Sequence, residues 1–199
     1  MTIALFWRKL TTPGTDLAFA ELTDDALRAS GTAVSAEPVP HVCRYELRTL
    51  PGFGTESVQV WSEGAGWRRR LRLDRVAGAW RAEGEAFGDA PFAEAPGPVD
   101  PDELAEAVDV DIAATALTNI LPIRRLKLHK ASPGTAVTLP MAWILLPSLK
   151  VVLARQTYTV NTDGTINYRQ GEFTADLTLD RDGFVRHYPG YATRVVPER

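Results

Sequence analysis

Few residues in this chain have types and spacing that could do chemistry. Asp109-Val110-Asp111 is the most pointed group: on a strand, such a triplet sets two carboxylates on one face about 7 Å apart, close enough to share a cation or flank a glycosidic bond. The same triplet beside an acidic loop also reads as the solvated start of a strand. A second group is Arg68, Arg69, Arg70, Arg72, Arg75 and Arg81, with Trp67 and Trp80 beside it and Asp74 as its one acid. Such a cluster can hold phosphate, yet alternation sends Arg68, Arg70 and Arg72 outward and Leu71 and Leu73 inward, the pattern of a solvated sheet face. The three histidines, His41, His129 and His187, lie far apart, and no nucleophile elbow, phosphate loop or dinucleotide-binding glycine pattern occurs. Cys43 falls on the apolar side of a strand, where a thiol packs as a small hydrophobe. With no paired Cys or His spacing, neither metal nor cofactor is expected, and the chain reads as non-catalytic. A sugar hydrolase using Asp109 and Asp111 is the enzymatic alternative.

These groups need elements to hold them, and most of the chain alternates with the period of two that marks half-buried strands. From Glu172 to Asp180, Phe173, Ala175, Leu177 and Leu179 share one side and the polar residues the other. Val42 to Arg48, Thr55 to Trp61 and Arg68 to Asp74 repeat the pattern. Turn signals at Pro51-Gly52, Ala77-Gly78, Asp163-Gly164, Asp182-Gly183 and Pro189-Gly190 separate such segments, predicting an antiparallel meander of a dozen or more strands. Between Ala82 and Asp111 lie ten acids, four prolines and no Lys or Arg, which predicts an acidic surface connection at 82–108 inside one domain spanning 1–199. Short helical turns are expected at Pro101 to Val108 and near Thr115 to Leu121. Thr23 to Ser30 carries helix signals too, with Thr23 as N-cap and Gly31 at the end, between strand-like neighbours. Val137 to Ala154 is apolar on both faces, as in a covered core strand or a sheet wrapped round an apolar ligand; Trp143 shares a face with Val137, Leu139 and Met141.

The chain has 199 residues, 45% hydrophobic and 24% charged, which is the balance of a globular domain large enough to need no disulfide or structural metal. A net charge of −3 gives no overall pull toward nucleic acid, and none is expected as a partner. The apolar run Ile3 to Trp7 leads into Arg8 and Lys9, the reverse of a secretory signal, and Pro140, Pro147 and Lys150 break the most apolar segment. A cytoplasmic location without a transmembrane segment is expected.

From Val108 onward the order of motifs resembles the bacterial putative glycolipid-binding family. The resemblance is carried by Asp109-Val110-Asp111, Asn119-Ile120-Leu121-Pro122-Ile123-Arg124-Arg125-Leu126, Met141-Ala142-Trp143, Gln156-Thr157-Tyr158 and the closing run Asp182 to Gly190. Tyr191 stands where that family usually has Trp. The resemblance implies a mainly β fold, an antiparallel meander rolled into a spiral β-roll or half-barrel with one or two short helices. It also implies binding of a lipid or glycolipid in an apolar concavity, with no catalytic residues. The ligand-binding candidates it suggests are Asp109, Asp111, Asn119, Arg124, Arg125, Trp143, Gln156, Tyr158, Tyr168 and Tyr188. On this reading the tail lies against Val137 to Ala154 and the head near Arg124, Arg125 and the two aspartates; a ligand-free interaction module is the other alternative.

Overall fold

The computed structural model describes residues 2–196. Seven strands come first, each paired antiparallel with the next: β1 (Thr2–Lys9), β2 (Gly14–Leu22), β3 (Leu27–Ser35), β4 (His41–Thr49), β5 (Thr55–Gly64), β6 (Trp67–Val76) and β7 (Ala79–Gly88). Their connections are tight. Ala77 and Gly78 both adopt positive φ, 51° and 87°, the geometry that turns a strand back on itself in two residues. The second half adds β8 (Asp109–Ile112), the helix α1 (Ile120–Arg125), then β9 (Ala136–Ile144), β10 (Val151–Val160), β11 (Ile166–Gln170), β12 (Phe173–Leu179), β13 (Val185–Tyr188) and β14 (Ala192–Arg194). Pairing of β14 with β1 joins the halves into one fourteen-stranded sheet running β7-β6-β5-β4-β3-β2-β1-β14-β13-β12-β11-β10-β9-β8. All pairs are antiparallel except β8 with β9. Pro140 is tolerated in β9 because β8 reaches only as far as its neighbour Met141, so no partner strand on that side needs the missing N–H.

The sheet does not close into a barrel; it rolls until β8 lies against its far half. The Thr55 N–H donates to the Val108 carbonyl at 3.2 Å, the Val110 N–H donates to the Thr55 hydroxyl at 3.2 Å, and the Trp80 indole N–H donates to the Ala107 carbonyl at 3.0 Å. One core fills the roll. Leu5, Trp7, Leu47, Val58, Val60, Leu71 and Leu73 from the first half meet Val110, Ile112, Ile120, Leu121, Ile123 and Ile144 from the second. Trp7, fully enclosed there, donates its indole N–H to the Val185 carbonyl at 2.8 Å, so the ring is buried with its one donor satisfied.

Two expectations need correction. Thr23 to Ser30 is not a helix: the Thr23 hydroxyl accepts from the Ala26 N–H at 3.0 Å, closing a four-residue turn, and Leu27 onward is β3, whose Leu27, Ala29 and Ala33 face the core. A side-chain turn plus an inward apolar alternation beats the cap signal. The acidic connection at 82–108 begins later than expected, because β7 takes residues 82–88 as strand and the linking segment is 89–108. That segment is not all surface. Leu104 and Ala107 are buried, and Gly97 pairs with Lys150. Arg69, on the inward side of β6, stacks on Phe92 at 4.3 Å and donates to the carbonyls of Phe92, Glu94 and Ser148, tying the segment to the sheet. Gly84 leaves room for the Pro96 carbonyl, which would lie 2.3 Å from a Cβ there.

Candidate functional site

A cleft of about 510 Å³ opens between the turn after β8 and strands β11 to β14. Aromatic side chains make its walls. Trp143 of β9 lines it, as do Tyr168 of β11, Phe173 of β12, Tyr188 of β13 and Tyr191 in the turn before β14. The rings sit edge-to-face or tilted: Tyr168 to Tyr188 at 5.9 Å, Phe173 to Tyr188 at 6.0 Å and Tyr188 to Tyr191 at 5.0 Å between centroids. They meet because β11, β12 and β13 are adjacent strands and each presents the same face.

The floor is polar and connected. Asp111 accepts from the Thr118 hydroxyl and from the Gln156 amide, both at 2.6 Å. The Gln156 amide also donates to Gln170 at 3.3 Å, and Gln170 accepts from the Tyr168 hydroxyl at 2.6 Å. Behind them the Tyr158 hydroxyl lies 3.1 Å from the Gln156 carbonyl oxygen and 3.2 Å from that of Asn119. Burial raises the Asp111 carboxyl above its ordinary range, opposed by its two hydrogen bonds, and holds the Tyr158 and Tyr168 hydroxyls neutral. Asp111, Asn119 and Gln170 line the cleft; Gln156 and Tyr158 are fully enclosed and orient them.

The expected site therefore divides. Asp111, Asn119, Trp143, Gln156, Tyr158, Tyr168 and Tyr188 come together. Asp109, Arg124 and Arg125 do not join them in the cleft. Asp109 is completely buried and bound by Arg125 through contacts of 2.7, 3.0 and 3.2 Å, which fastens α1 to β8. Burial pushes the Asp109 carboxyl up and Arg125 opposes it. Arg124 stands 5.1 Å over the Phe53 ring and reaches carbonyls of Thr23, Asp24 and Asp182 at 3.4 Å. No Lys or Arg lines the cleft, so neither arginine is placed to hold a ligand's head there. Nor do the Val137 to Ala154 strands supply a tail surface: Met141, Ala142, Ile144 and Val151 are buried in the core and Trp143 alone faces the cleft.

Three contributors were not singled out from the sequence. Gln170 lies two residues from Tyr168 and so on the same face of β11, a signal that period-two reasoning could have used. Phe173 shares one side of its strand with Ala175, Leu177 and Leu179, as the alternation predicts, and stands 47% exposed at the cleft wall. Asp16 is the third. It is buried on the inward face of β2, where one oxygen accepts from the Tyr45 hydroxyl at 3.2 Å and the other has no hydrogen-bond partner. Desolvation pushes its carboxyl up to about 6, against the pull of Tyr45, the Ala116 backbone and Lys9. Two other concavities, about 520 Å³ on the outer face of β2 to β6 and about 680 Å³ at the hairpin ends near Pro13 and Pro40, have no comparable buried network beneath them.

Fold and site together define a rolled, open antiparallel β-protein carrying an aromatic ligand cleft. The chain belongs to the putative glycolipid-binding family, whose model matches residues 4–194 and so covers both halves of the sheet. Among solved structures it is similar to a DUF1089 family protein from Pseudomonas aeruginosa, at 26% identity and a TM-score of 0.69 over 90% of this chain and 92% of that one. No curated protein matches it. No helix among the described residues is long and apolar enough to cross a membrane.

Proposed function

We propose that the protein binds an amphiphile of the glycolipid kind in the aromatic cleft and does so without catalysis. The observation that carries this is the pairing of five aromatic walls with a hydrogen-bonded floor of Asp111, Asn119 and Gln170, in a cleft whose 510 Å³ lies in the usual range of small-molecule sites. Aromatic faces stack on sugar rings or cover methylene groups, and each CH₂ taken out of water contributes about 0.8 kcal/mol. The amides and the carboxylate can pair with head-group hydroxyls that would otherwise lose their water. The family's description, glycolipid-binding, agrees with this chemistry. Of the two aspartates in the hydrolase alternative, Asp111 alone faces the cleft while Asp109 is held by Arg125, an arrangement that favours binding over a paired-carboxylate mechanism.

The test is native mass spectrometry with lipid extraction of protein purified from its own host, followed by titration with fluorescent acyl probes and glycosidase assays. A bound or titratable amphiphile with no turnover is the expected result. Failure to bind any amphiphile below about 100 μM, less than about 5.5 kcal/mol of affinity, would refute it.

A further inference from the structure

Three carboxylates, Asp16, Asp109 and Asp111, lie inside the roll, of which Asp111 lines this cleft, and they are not treated alike. Asp109 has the Arg125 guanidinium at 2.7 Å. Asp111 and Asp16 have no cation within 4 Å among the described residues, and no Lys or Arg lines the cleft. Both Asp111 oxygens accept hydrogen bonds, from Thr118 and Gln156, as the ionised form requires. Asp16 does not line the cleft and feels the charge of Lys9; its free oxygen and the buried Tyr191 hydroxyl both lack hydrogen-bond partners. Tyr168, Tyr188 and Tyr191 stand beside Asp111 in the cleft lining, with Trp143 and Phe173 completing the wall. An aromatic wall beside Asp111, a carboxylate with no cation within 4 Å among the described residues, attracts a positive charge, and the same field repels an anion.

We propose that the head group this cleft prefers carries a protonated or quaternary amine, as in an amino-sugar lipid or an alkylammonium. The proposal rests on the amphiphile reading above and narrows it: charge selects the head. A neutral sugar can use the rings and amides equally well but leaves Asp111 without a counter-ion, and a phosphate or carboxylate head meets a like charge.

Four probes with one octyl tail separate these cases when titrated below their micellar concentrations: octyltrimethylammonium, octyl 2-amino-2-deoxyglucoside, octyl glucoside and octanoate. The expected order places both cations about tenfold or more ahead of octyl glucoside, the ratio that about 1.4 kcal/mol supplies, with octanoate last. A preference for one cation over the other identifies whether the amine belongs on a sugar. Asp111→Asn should bring the cation-to-neutral ratio close to one. Ala113→Lys, on the half-exposed cleft rim, tests the same field without touching the buried network and should lower cation binding while raising that of octanoate. Equal binding of octyl glucoside and the cations by the wild type, or a preference that survives both substitutions, overturns the proposal while leaving the amphiphile reading standing. If no octyl probe binds, both fail together.

Discussion

Asp16→Asn should make the protein more stable at neutral pH, although it removes a charge from a hydrogen-bonded site. The carboxyl is 2% exposed, and its value rises from 3.8 to about 6 on folding, chiefly through desolvation. A carboxyl with a raised folded value binds its proton more tightly in the folded state, so it costs stability above pH 6 and ceases to do so below the unfolded value. At 1.36 kcal/mol per pH unit the full cost is about 3 kcal/mol. Asparagine keeps an oxygen for the Tyr45 hydroxyl, and its NH₂ takes the place of the carboxylate oxygen that has no hydrogen-bond partner. Allowing for the burial of that amide, a net gain of about 2 kcal/mol remains, equivalent to about 4–8 °C in Tm for a chain of this length. Thermal and urea unfolding of both proteins at pH 4, 5, 6 and 7.5 is the assay. The gain should be largest at pH 7.5, shrink through pH 6 to 4, and be close to zero at pH 4. A variant less stable than wild type at pH 7.5, or a gain independent of pH, would refute the reasoning.

Other outcomes follow from the same packing. Arg125→Ala leaves Asp109 buried without its partner and should cost about 3–5 kcal/mol in urea unfolding, with Asp109→Asn in the same chain recovering part of it. Gly31→Ala places a Cβ 2.2 Å from the Tyr45 ring, which crosses Gly31 to reach Asp16; a loss of about 2 kcal/mol or more is expected, and unchanged stability would mean the ring is free to move. Intrinsic fluorescence should report ligand through Trp143, because Trp7, Trp67 and Trp80 are 1%, 6% and 5% exposed and Trp61 lies on the outer face of β5. Trp143→Phe should abolish most of the ligand-dependent change while leaving binding measured by mass spectrometry in place.

Read by itself, the sequence determined the class of fold. Period-two alternation and glycine turns are local signals: the side-chain direction of a strand residue and the φ of a turn residue depend on near neighbours, so β4, β6 and the Ala77-Gly78 hairpin were legible without tertiary knowledge. The motifs between Asp109 and Gly190 also contain six of the seven expected residues that share the cleft or its support, Tyr168 lying outside them. What the sequence could not determine was which face of a strand points inward when hydropathy and packing disagree. In β2 it is Asp16, Ala18 and Ala20 that face the core, while Leu17 is half-exposed and Phe19 is 47% exposed. Small side chains there leave room for Tyr45 and for the opposite half of the roll, and that need for space arises only once the sheet has curled. Arg69 was hidden the same way, since the carbonyls that receive it come from residues 92, 94 and 148, far along the chain. The partition of Asp109 and Asp111 was the third decision of the tertiary structure. Two acids two residues apart look equivalent in sequence, but α1 carries Arg125 to one and the rolled sheet carries Gln156 and an aromatic wall to the other. Pairing across long sequence separations made one a structural anchor and left the other facing the cleft.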